Sequence, residues 1–146
     1  MSSFKILTIA IVLTKIVLAQ PQQIQNRALS TSEMQKQNHK IVKMASRALS
    51  KNLPQSVDRY TALVAVDGVN STLIYTYEIN TGAKSDEAVI KEDKSRMKKA
   101  VVNGICLHNK RFLDADIGIT YIYRSVATKR ELFRFTVTKS VCPQAK

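Results

Sequence analysis

Residues 60–79 read YTALVAVDGVNSTLIYTYEI, and this stretch predicts a β-hairpin. Two runs rich in β-branched and aromatic residues, Tyr60–Val66 and Thr72–Ile79, flank a turn sequence of the hairpin type, DGVN at residues 67–70. In the second run apolar and polar residues largely alternate, as they do in a strand with one buried face. The hairpin therefore predicts an antiparallel pair at the centre of the fold.

A helix is predicted before the hairpin. Ser30 stands three residues ahead of Glu33, which is the reciprocal capping pattern of a helix start, and Asn52 and Pro54 should end the helix near Lys51. The residues expected to pack at helical spacing are Met34, Ile41, Met44 or Ala45, and Ala48 or Leu49. Much of the remaining surface is basic, with Lys36, Lys40, Lys43, Arg47 and Lys51. One face should pack and the other should be cationic.

A second helix and two more strands follow the hairpin. The helix should begin at Ser85-Asp86-Glu87 and end near Asn103-Gly104, and the strands should span Ile117–Tyr123 and Glu131–Thr138. The residues predicted on the buried side of this helix are Ile90, Met97 and Val101. The fold class is therefore α+β, a single domain ordered helix, strand, strand, helix, strand, strand, with an antiparallel sheet packed against the helices.

The amino-terminal sequence, MSSFKILTIAIVLTKIVLAQ, predicts a secretory signal peptide over residues 1–19. Lys5 precedes an apolar region, and Val17-Leu18-Ala19 supplies small residues for cleavage. Residues 20–30 are expected to form a flexible lead and residues 31–146 the domain. Residue 20 is Gln20 rather than the cysteine that bacterial lipidation requires, so we expect a periplasmic or secreted protein without a lipid anchor.

The chain has two cysteines, Cys106 and Cys142. In an exported protein such a pair predicts a disulfide, because the compartment is oxidising. A catalytic thiol or a metal site is less well supported, since there is no CxxC motif and the histidines number two.

Composition describes one small globular domain of 146 residues, with 45% hydrophobic residues and a formal charge of +12. It excludes a collagen, a coiled coil and a disordered tail. The positive charge has two interpretations: solvated helix faces, or attraction to an acidic partner, an anionic membrane surface or a cell-wall polymer. No nucleic-acid partner is predicted, because aromatic residues are not interleaved with the basic ones outside Tyr121 and Tyr123.

Residues 107–116 contain the strongest candidates for catalysis. His108 with Asp114 and Asp116 resembles fragments of a metal-dependent nuclease, in which a histidine activates water and acids hold the metal. Such residues also occur by chance in an exposed loop after a helix, which is the interpretation we prefer. No serine lies in a Gly-x-Ser-x-Gly elbow. The sequence therefore predicts no catalytic residue, no cofactor and no metal site, and we expect a protein that is not an enzyme.

A family resemblance is carried by short motifs in this order: Leu53-Pro54, Tyr60-Thr61-Ala62-Leu63-Val64, a basic helix closing on Cys106, Gly118-Ile119-Thr120-Tyr121, and Thr138-Lys139-Ser140-Val141-Cys142. Over roughly residues 35–143 they resemble the beta class of type II secretion pilotins. The resemblance implies a compact α/β fold with a disulfide and capture of the carboxy-terminal segment of a secretin, which aids secretin assembly in the outer membrane. Pilotins of this family carry a lipidated cysteine, and this chain has Gln20 at that position.

Three functions follow from these observations. The first is an exported binding domain that takes a secretin segment into a groove between a helix and the sheet. The second is a periplasmic inhibitor or immunity-type binder of an acidic protein, whose binding should be sensitive to salt. The third is a small secreted nuclease or hydrolase, which requires His108 and an acid to converge on one pocket.

Overall fold

The computed structural model describes residues 29–142 as two long helices packed with a five-stranded sheet. The helices are α1 (Thr31–Leu49), α2 (Asp86–His108) and α3 (Lys110–Asp114). The strands are β1 (Gln55–Ser56), β2 (Thr61–Val69), β3 (Thr72–Ile79), β4 (Gly118–Ser125) and β5 (Glu131–Val137). Short 3-10 turns at Ser50–Asn52 and Lys139–Val141 follow α1 and β5. The predicted α+β class is confirmed.

The sheet has the strand order β1-β2-β3-β4-β5. Every neighbouring pair is antiparallel except β3 and β4, which run parallel from Thr72↔Gly118 to Ile79↔Ser125. The prediction of an antiparallel sheet is therefore wrong for this central pair. The cause is α2, because a helix between two neighbouring strands carries the chain back to the end from which it started.

The hairpin forms with a tighter turn than predicted. β2 continues through Val69, and the reversal falls at Asn70 and Ser71, where Asn70 has φ of 52°. Asparagine tolerates this left-handed conformation better than most residues. The additional strand β1 pairs with the start of β2, through Gln55↔Leu63 and Ser56↔Ala62. Two residues are too few to leave a periodic signal in the sequence.

α1 lies against β2 at an unusually close approach. A Cβ atom on Gly68 would lie 2.8 Å from Val42 Cγ1, 2.9 Å from the Val42 carbonyl oxygen and 3.0 Å from Ser46 Oγ. Asn38 is buried in the same face of the helix, and its Nδ2 donates a 2.6 Å hydrogen bond to the Ala115 carbonyl oxygen. The packed face of α1 therefore includes the polar residues Asn38 and Ser46 beside Val42, and a hydrophobic-periodicity argument passes over this polar pair.

The predicted packed face of α1 is correspondingly displaced. Ile41 and Ala45 do pack against the core, but Met44 is 64% exposed. Met34 and Leu49 are also exposed, and so is Ala48. The close fit at Gly68 leaves no room for a methionine or a leucine between the helix and the strand, so the larger apolar residues lie away from the contact.

The second helix is longer than predicted. It continues past Asn103 and Gly104 to His108, so that Cys106 lies within its last turn rather than after it, and α3 follows directly. Residues 107–110, expected to form a loop, are therefore mostly helical. Cys106 is bonded to Cys142 with a Cα–Cα distance of 5.6 Å, which confirms the disulfide. It joins the end of α2 to the segment just after β5.

The core lies between the helices and one face of the sheet. Residues less than 2% exposed in it include Val42, Leu73, Ile105, Ile117, Ile119 and Val137. Of the residues predicted to be buried on α2, Val101 is buried, whereas Ile90 and Met97 are half-buried at the edge of the core. Val89 and Ile105 complete the buried side of that helix.

The predicted signal peptide and most of the predicted lead, residues 20–28, lie outside the described residues. The same is true of residues 143–146 at the end of the predicted domain. Within residues 29–142, no helix has an apolar stretch long enough to cross a bilayer.

Candidate functional site

A cleft of about 400 Å³ opens between α2 and the connection that joins β1 to β2. Tyr77, Tyr121 and Tyr123 form its floor, and we call it the tyrosine cleft. Its volume lies within the range that binding sites usually occupy. Most of its lining side chains are apolar or aromatic, and the few polar ones lie at the walls.

The floor belongs to a ladder of six aromatic rings that crosses three strands. The ring centroids of Tyr77 and Tyr121 are 5.1 Å apart, and those of Tyr77 and Tyr123 are 5.0 Å apart with nearly parallel planes. The rest of the ladder consists of Tyr75 beside Tyr121, and of Phe133 and Phe135 beside Tyr123. The rings alternate along their strands and therefore point to one face of the sheet. They form a stiff, broad apolar surface.

Two hydroxyl groups of the floor, those of Tyr77 and Tyr123, stay protonated. Burial raises the pKa of Tyr77 and Tyr123 far above the ordinary value of 10, and the neighbouring Tyr121 raises both further. The pKa of Tyr75 is also raised, mainly by burial. These hydroxyl groups therefore carry no charge at physiological pH. The floor is suited to an apolar occupant with an occasional hydrogen-bonding group.

α2 supplies one wall of the cleft. The lining residues recur at helical spacing along one side of the helix and comprise Met97, Ala100, Val101, Gly104, Ile105 and His108. Gly104 lies inside the helix, just before its last turn, and glycine is normally unfavourable within a helix. A Cβ atom built on it would meet nothing within 4 Å. The wall that α2 forms is therefore recessed at Gly104.

The opposite wall is a short, tightly hydrogen-bonded turn that includes Val57, Asp58 and Thr61. Asp58 Oδ1 accepts hydrogen bonds from the backbone N–H groups of Tyr60 and Thr61, at 2.7 and 2.8 Å. The Val57 N–H donates to the Thr61 carbonyl oxygen at 2.9 Å. Val57 and Tyr60 are each 58% exposed. The turn therefore holds a fixed shape while showing apolar side chains to solvent beside the cleft.

The disulfide fixes the end of the α2 wall. Cys106 lies between Ile105 and His108, both of which line the cleft, and its partner Cys142 follows β5. The bond thus limits movement of α2 away from the sheet. Of the residues that the sequence offered for catalysis or for a disulfide, His108 lines the cleft and Cys106 is next to it in the chain.

The residues considered for nuclease chemistry do not converge. His108 lines the tyrosine cleft, whereas Asp116 lines a separate cavity with Gly118 and Lys139. Lys110 Nζ donates a 2.7 Å hydrogen bond to Asp114 Oδ2, and this bond lowers the pKa of Asp114. Within residues 29–142, no group of three or more histidine, cysteine or acidic residues is arranged to hold a metal ion.

The sequence analysis expected a groove between a helix and the sheet but assigned no residues to it. Alternation indicates that the tyrosines of β3 and β4 share a face of the sheet, and it does not say that a helix stops short of covering them. Nothing in the sequence marked Val57 and Asp58 as cleft residues, because their position depends on the pairing of β1 with β2. The one available indication was Gly104, a glycine inside a helical pattern.

Three solved structures resemble the fold. One is of a candidate secreted protein from Pseudomonas aeruginosa, with a TM-score of 0.67 and 12% identity over 80% of this chain and 100% of that chain. The pilotin EpsS of the Vibrio vulnificus type 2 secretion system has a TM-score of 0.62 and 16% identity, covering 78% of this chain and 99% of that one. The type II secretion system pilotin AspS of Vibrio cholerae has a TM-score of 0.58 and 21% identity, covering 76% and 97%.

These likenesses show a shared fold, which includes that of type II secretion pilotins. No curated protein sequence matches the chain. One family model does match the chain. It describes a domain of unknown function, DUF8479, and it matches residues 36–133, which is more than half of the 146 residues. The matched range runs from α1 into β5 and includes every wall of the tyrosine cleft. The chain belongs to the DUF8479 family.

Proposed function

We propose that this protein is an exported, non-enzymatic binding protein of the cell envelope that captures an apolar segment of a partner protein in the tyrosine cleft. The observation that carries the proposal is the cleft: an uncharged aromatic floor between a helical wall and a rigid turn. The likeness of the fold to two pilotins supports the same conclusion. The concrete partner we propose is the carboxy-terminal segment of a secretin.

The shape of the cleft favours an amphipathic helix as its occupant. Such a helix presents apolar anchors at intervals of three and four residues, and their burial on a hydrophobic surface drives association. The floor runs across β3 and β4, and α2 provides a straight wall beside it. Polar groups of Asp58, Thr61, His108 and Asn109 lie at the walls. They are placed to contact the polar side of a bound helix rather than its anchors.

Gly104 provides a direct test. A phenylalanine at this position would extend into the cleft from a helix surface that has no neighbour within 4 Å, so Gly104→Phe should fold normally and block binding. Gly104→Ala is the matched control, because it changes the helix in the same place and leaves the cleft open. Binding should be measured by fluorescence anisotropy, with the protein purified from the periplasm and a labelled carboxy-terminal secretin peptide from the same organism.

We expect Gly104→Phe to weaken binding by about tenfold or more, since apolar side chains bound in a filled cleft lose most of their buried area. Gly104→Ala should bind within about twofold of the natural protein. The affinity should change little between low and moderate salt. Equal binding by both variants, or no binding of the secretin peptide by the natural protein, would refute the proposal. Capture of an acidic protein that is lost as salt rises would instead support an inhibitor or immunity-type role.

A further inference from the structure

A straight row of basic side chains runs along the outer surface of α1. It consists of Lys36, Lys40, Lys43 and Arg47, and we call it the basic stripe. Their spacings of four, three and four residues place them within an arc of about 60° over a length of about 17 Å. All four are exposed, and the exposed Lys51 continues the row in the turn after α1. The stripe is therefore a linear cationic surface rather than scattered charge.

The packing of α1 fixes the direction in which the basic stripe points. Val42 and Ser46 contact the backbone at Gly68, and Asn38 is hydrogen-bonded to Ala115. These residues occupy the side of the helix roughly opposite to the stripe. The contact at Gly68 is too close to permit rotation of the helix about its axis without a clash. The four basic side chains are consequently held on the exposed side of the helix.

The charges of the basic stripe are not neutralised within the described residues. The ion pairs found between residues 29 and 142 use basic side chains from other elements: Lys84, Arg96, Lys110, Lys129, Arg130 and Arg134. The one acid of α1, Glu33, is bonded to Ser30 in the capping box. Like charges at this spacing repel one another along a helix. An external anionic surface would therefore reduce this repulsion, which no ion pair within the described residues reduces.

α2 does not carry the same uninterrupted positive charge. Its lysines share the helix with the acids Glu87, Glu92 and Asp93, which offset part of the positive charge. α1 has no acid in the region of the stripe. An open depression of about 750 Å³ also lies next to the stripe, lined in part by Lys36, Lys40 and the polar turn at residues 70–72. It offers space for a phosphate-bearing group between basic and hydrogen-bonding side chains.

We propose that the basic stripe docks the protein on an anionic lipid surface, with phosphate-bearing headgroups against the lysines. A convex, straight row can contact a flat surface along its whole length. Met44, which is 64% exposed, lies next to the stripe on the helix and can enter the boundary between headgroups and acyl chains. α1 contains no phenylalanine, tyrosine or tryptophan, so it lacks the large aromatic platforms on which successive bases stack.

Docking through the basic stripe leaves the tyrosine cleft available. Among the described residues that line the cleft, none belongs to α1. A protein held by α1 can therefore bind a partner segment in the cleft at the same time. Electrostatic attachment of this kind would keep an exported chain at a membrane surface where partner proteins assemble, and it is reversible with salt.

The test is flotation of the exported protein with lipid vesicles. Vesicles of phosphatidylglycerol and phosphatidylethanolamine should bind the natural protein at low salt, and vesicles of phosphatidylcholine should not. The double variant Lys40→Glu with Lys43→Glu should lose about tenfold or more in affinity for the anionic vesicles. The matched control, Lys94→Glu with Lys98→Glu on α2, changes the net charge by the same amount and should retain binding within about threefold. All four residues are exposed, so both variants should fold.

Two further measurements separate this proposal from its alternatives. Met44→Gln should weaken binding to anionic vesicles without changing the net charge. The cleft variant Gly104→Phe should bind these vesicles normally, whatever its effect on peptide capture. Equal loss in the α1 and α2 double variants would mean that net charge alone attracts the protein, and would overturn the proposal. Binding of a short DNA duplex or of an acidic protein through the stripe, with no binding to anionic vesicles, would also overturn it.

Discussion

Gly68→Ala should destabilise the protein by introducing a steric clash where α1 lies closest to β2. The added methyl carbon would lie 2.8 Å from Val42 Cγ1 and 2.9 Å from the Val42 carbonyl oxygen. Carbon atoms in contact are normally about 3.5 to 4.0 Å apart, so the helix has to shift by nearly 1 Å. Val42 is completely buried, and its carbonyl belongs to the helix backbone, which prevents either group from simply turning aside.

The expected magnitude follows from two opposing effects. Overpacking of a well-packed site costs about 1 to 3 kcal/mol. Alanine recovers about 0.5 to 1 kcal/mol relative to glycine within a strand, because the unfolded chain loses less freedom. The net loss in the free energy of unfolding should therefore be about 1 kcal/mol, and at most about 2.5 kcal/mol. With a typical slope in urea, the midpoint should fall by roughly 0.5 to 1 M.

Urea unfolding followed by circular dichroism measures this change, and two controls define its origin. Gly104→Ala, in an open position of α2, should stabilise the protein by up to about 1 kcal/mol. Val42→Ala removes one of the clashing atoms, so the loss caused by Gly68→Ala should be smaller in that background, which a double-mutant cycle detects. If Gly68→Ala were as stable as the natural protein, the packing argument for α1 would be incorrect.

Two other predictions concern the walls and the floor of the cleft. Replacing Cys106 and Cys142 together by alanine opens a loop with a sequence separation of 36 residues. This should lower the free energy of unfolding by about 3 to 4 kcal/mol and the melting temperature by roughly 10 to 20 °C, measured by thermal circular dichroism; a loss below about 1 kcal/mol would contradict it. For the floor, the raised pKa of Tyr77 and Tyr123 means that both hydroxyl groups stay protonated in the folded protein while the same groups ionise near pH 10 in the unfolded chain. Proton release then favours unfolding, so this stability is complete below pH 10 and decreases as the pH rises above it. Absorbance titration at pH 11 should therefore detect fewer phenolates in the folded protein than in urea, and equal ionisation in both states would refute the burial argument.

Local sequence signals were reliable wherever one element determined its own conformation. The capping box at Ser30 and Glu33, the serine cap at Ser85 and the alternating runs of β3 and β5 each gave an element of the expected type close to the expected boundary. Hydrogen bonds between residues three apart, and side chains that alternate along a strand, depend on neighbours in the sequence. The pairing of Cys106 with Cys142 was also predictable, because the chain has two cysteines.

The prediction ended the second helix too early, because it considered only residues that are close in the sequence. Gly104 indicates a helix end in a sequence, yet in the structure the helix continues because Ile105 is buried and Cys106 is bonded to Cys142. Tertiary packing of the last turn outweighs an unfavourable residue worth about 1 kcal/mol.

The sequence by itself determined the class of fold, the order of the long elements, the disulfide and the cationic character of α1. The tertiary structure alone decided three things: the parallel pairing of β3 with β4, the rotation of α1 that sends its charges outward, and the cleft above the tyrosines. Periodicity specifies which residues of an element share a face, but not which neighbour covers that face. The close contact at Gly68 positions α1, and the turn around Asp58 forms a wall opposite α2, so the cleft exists because residues distant in the sequence meet in space.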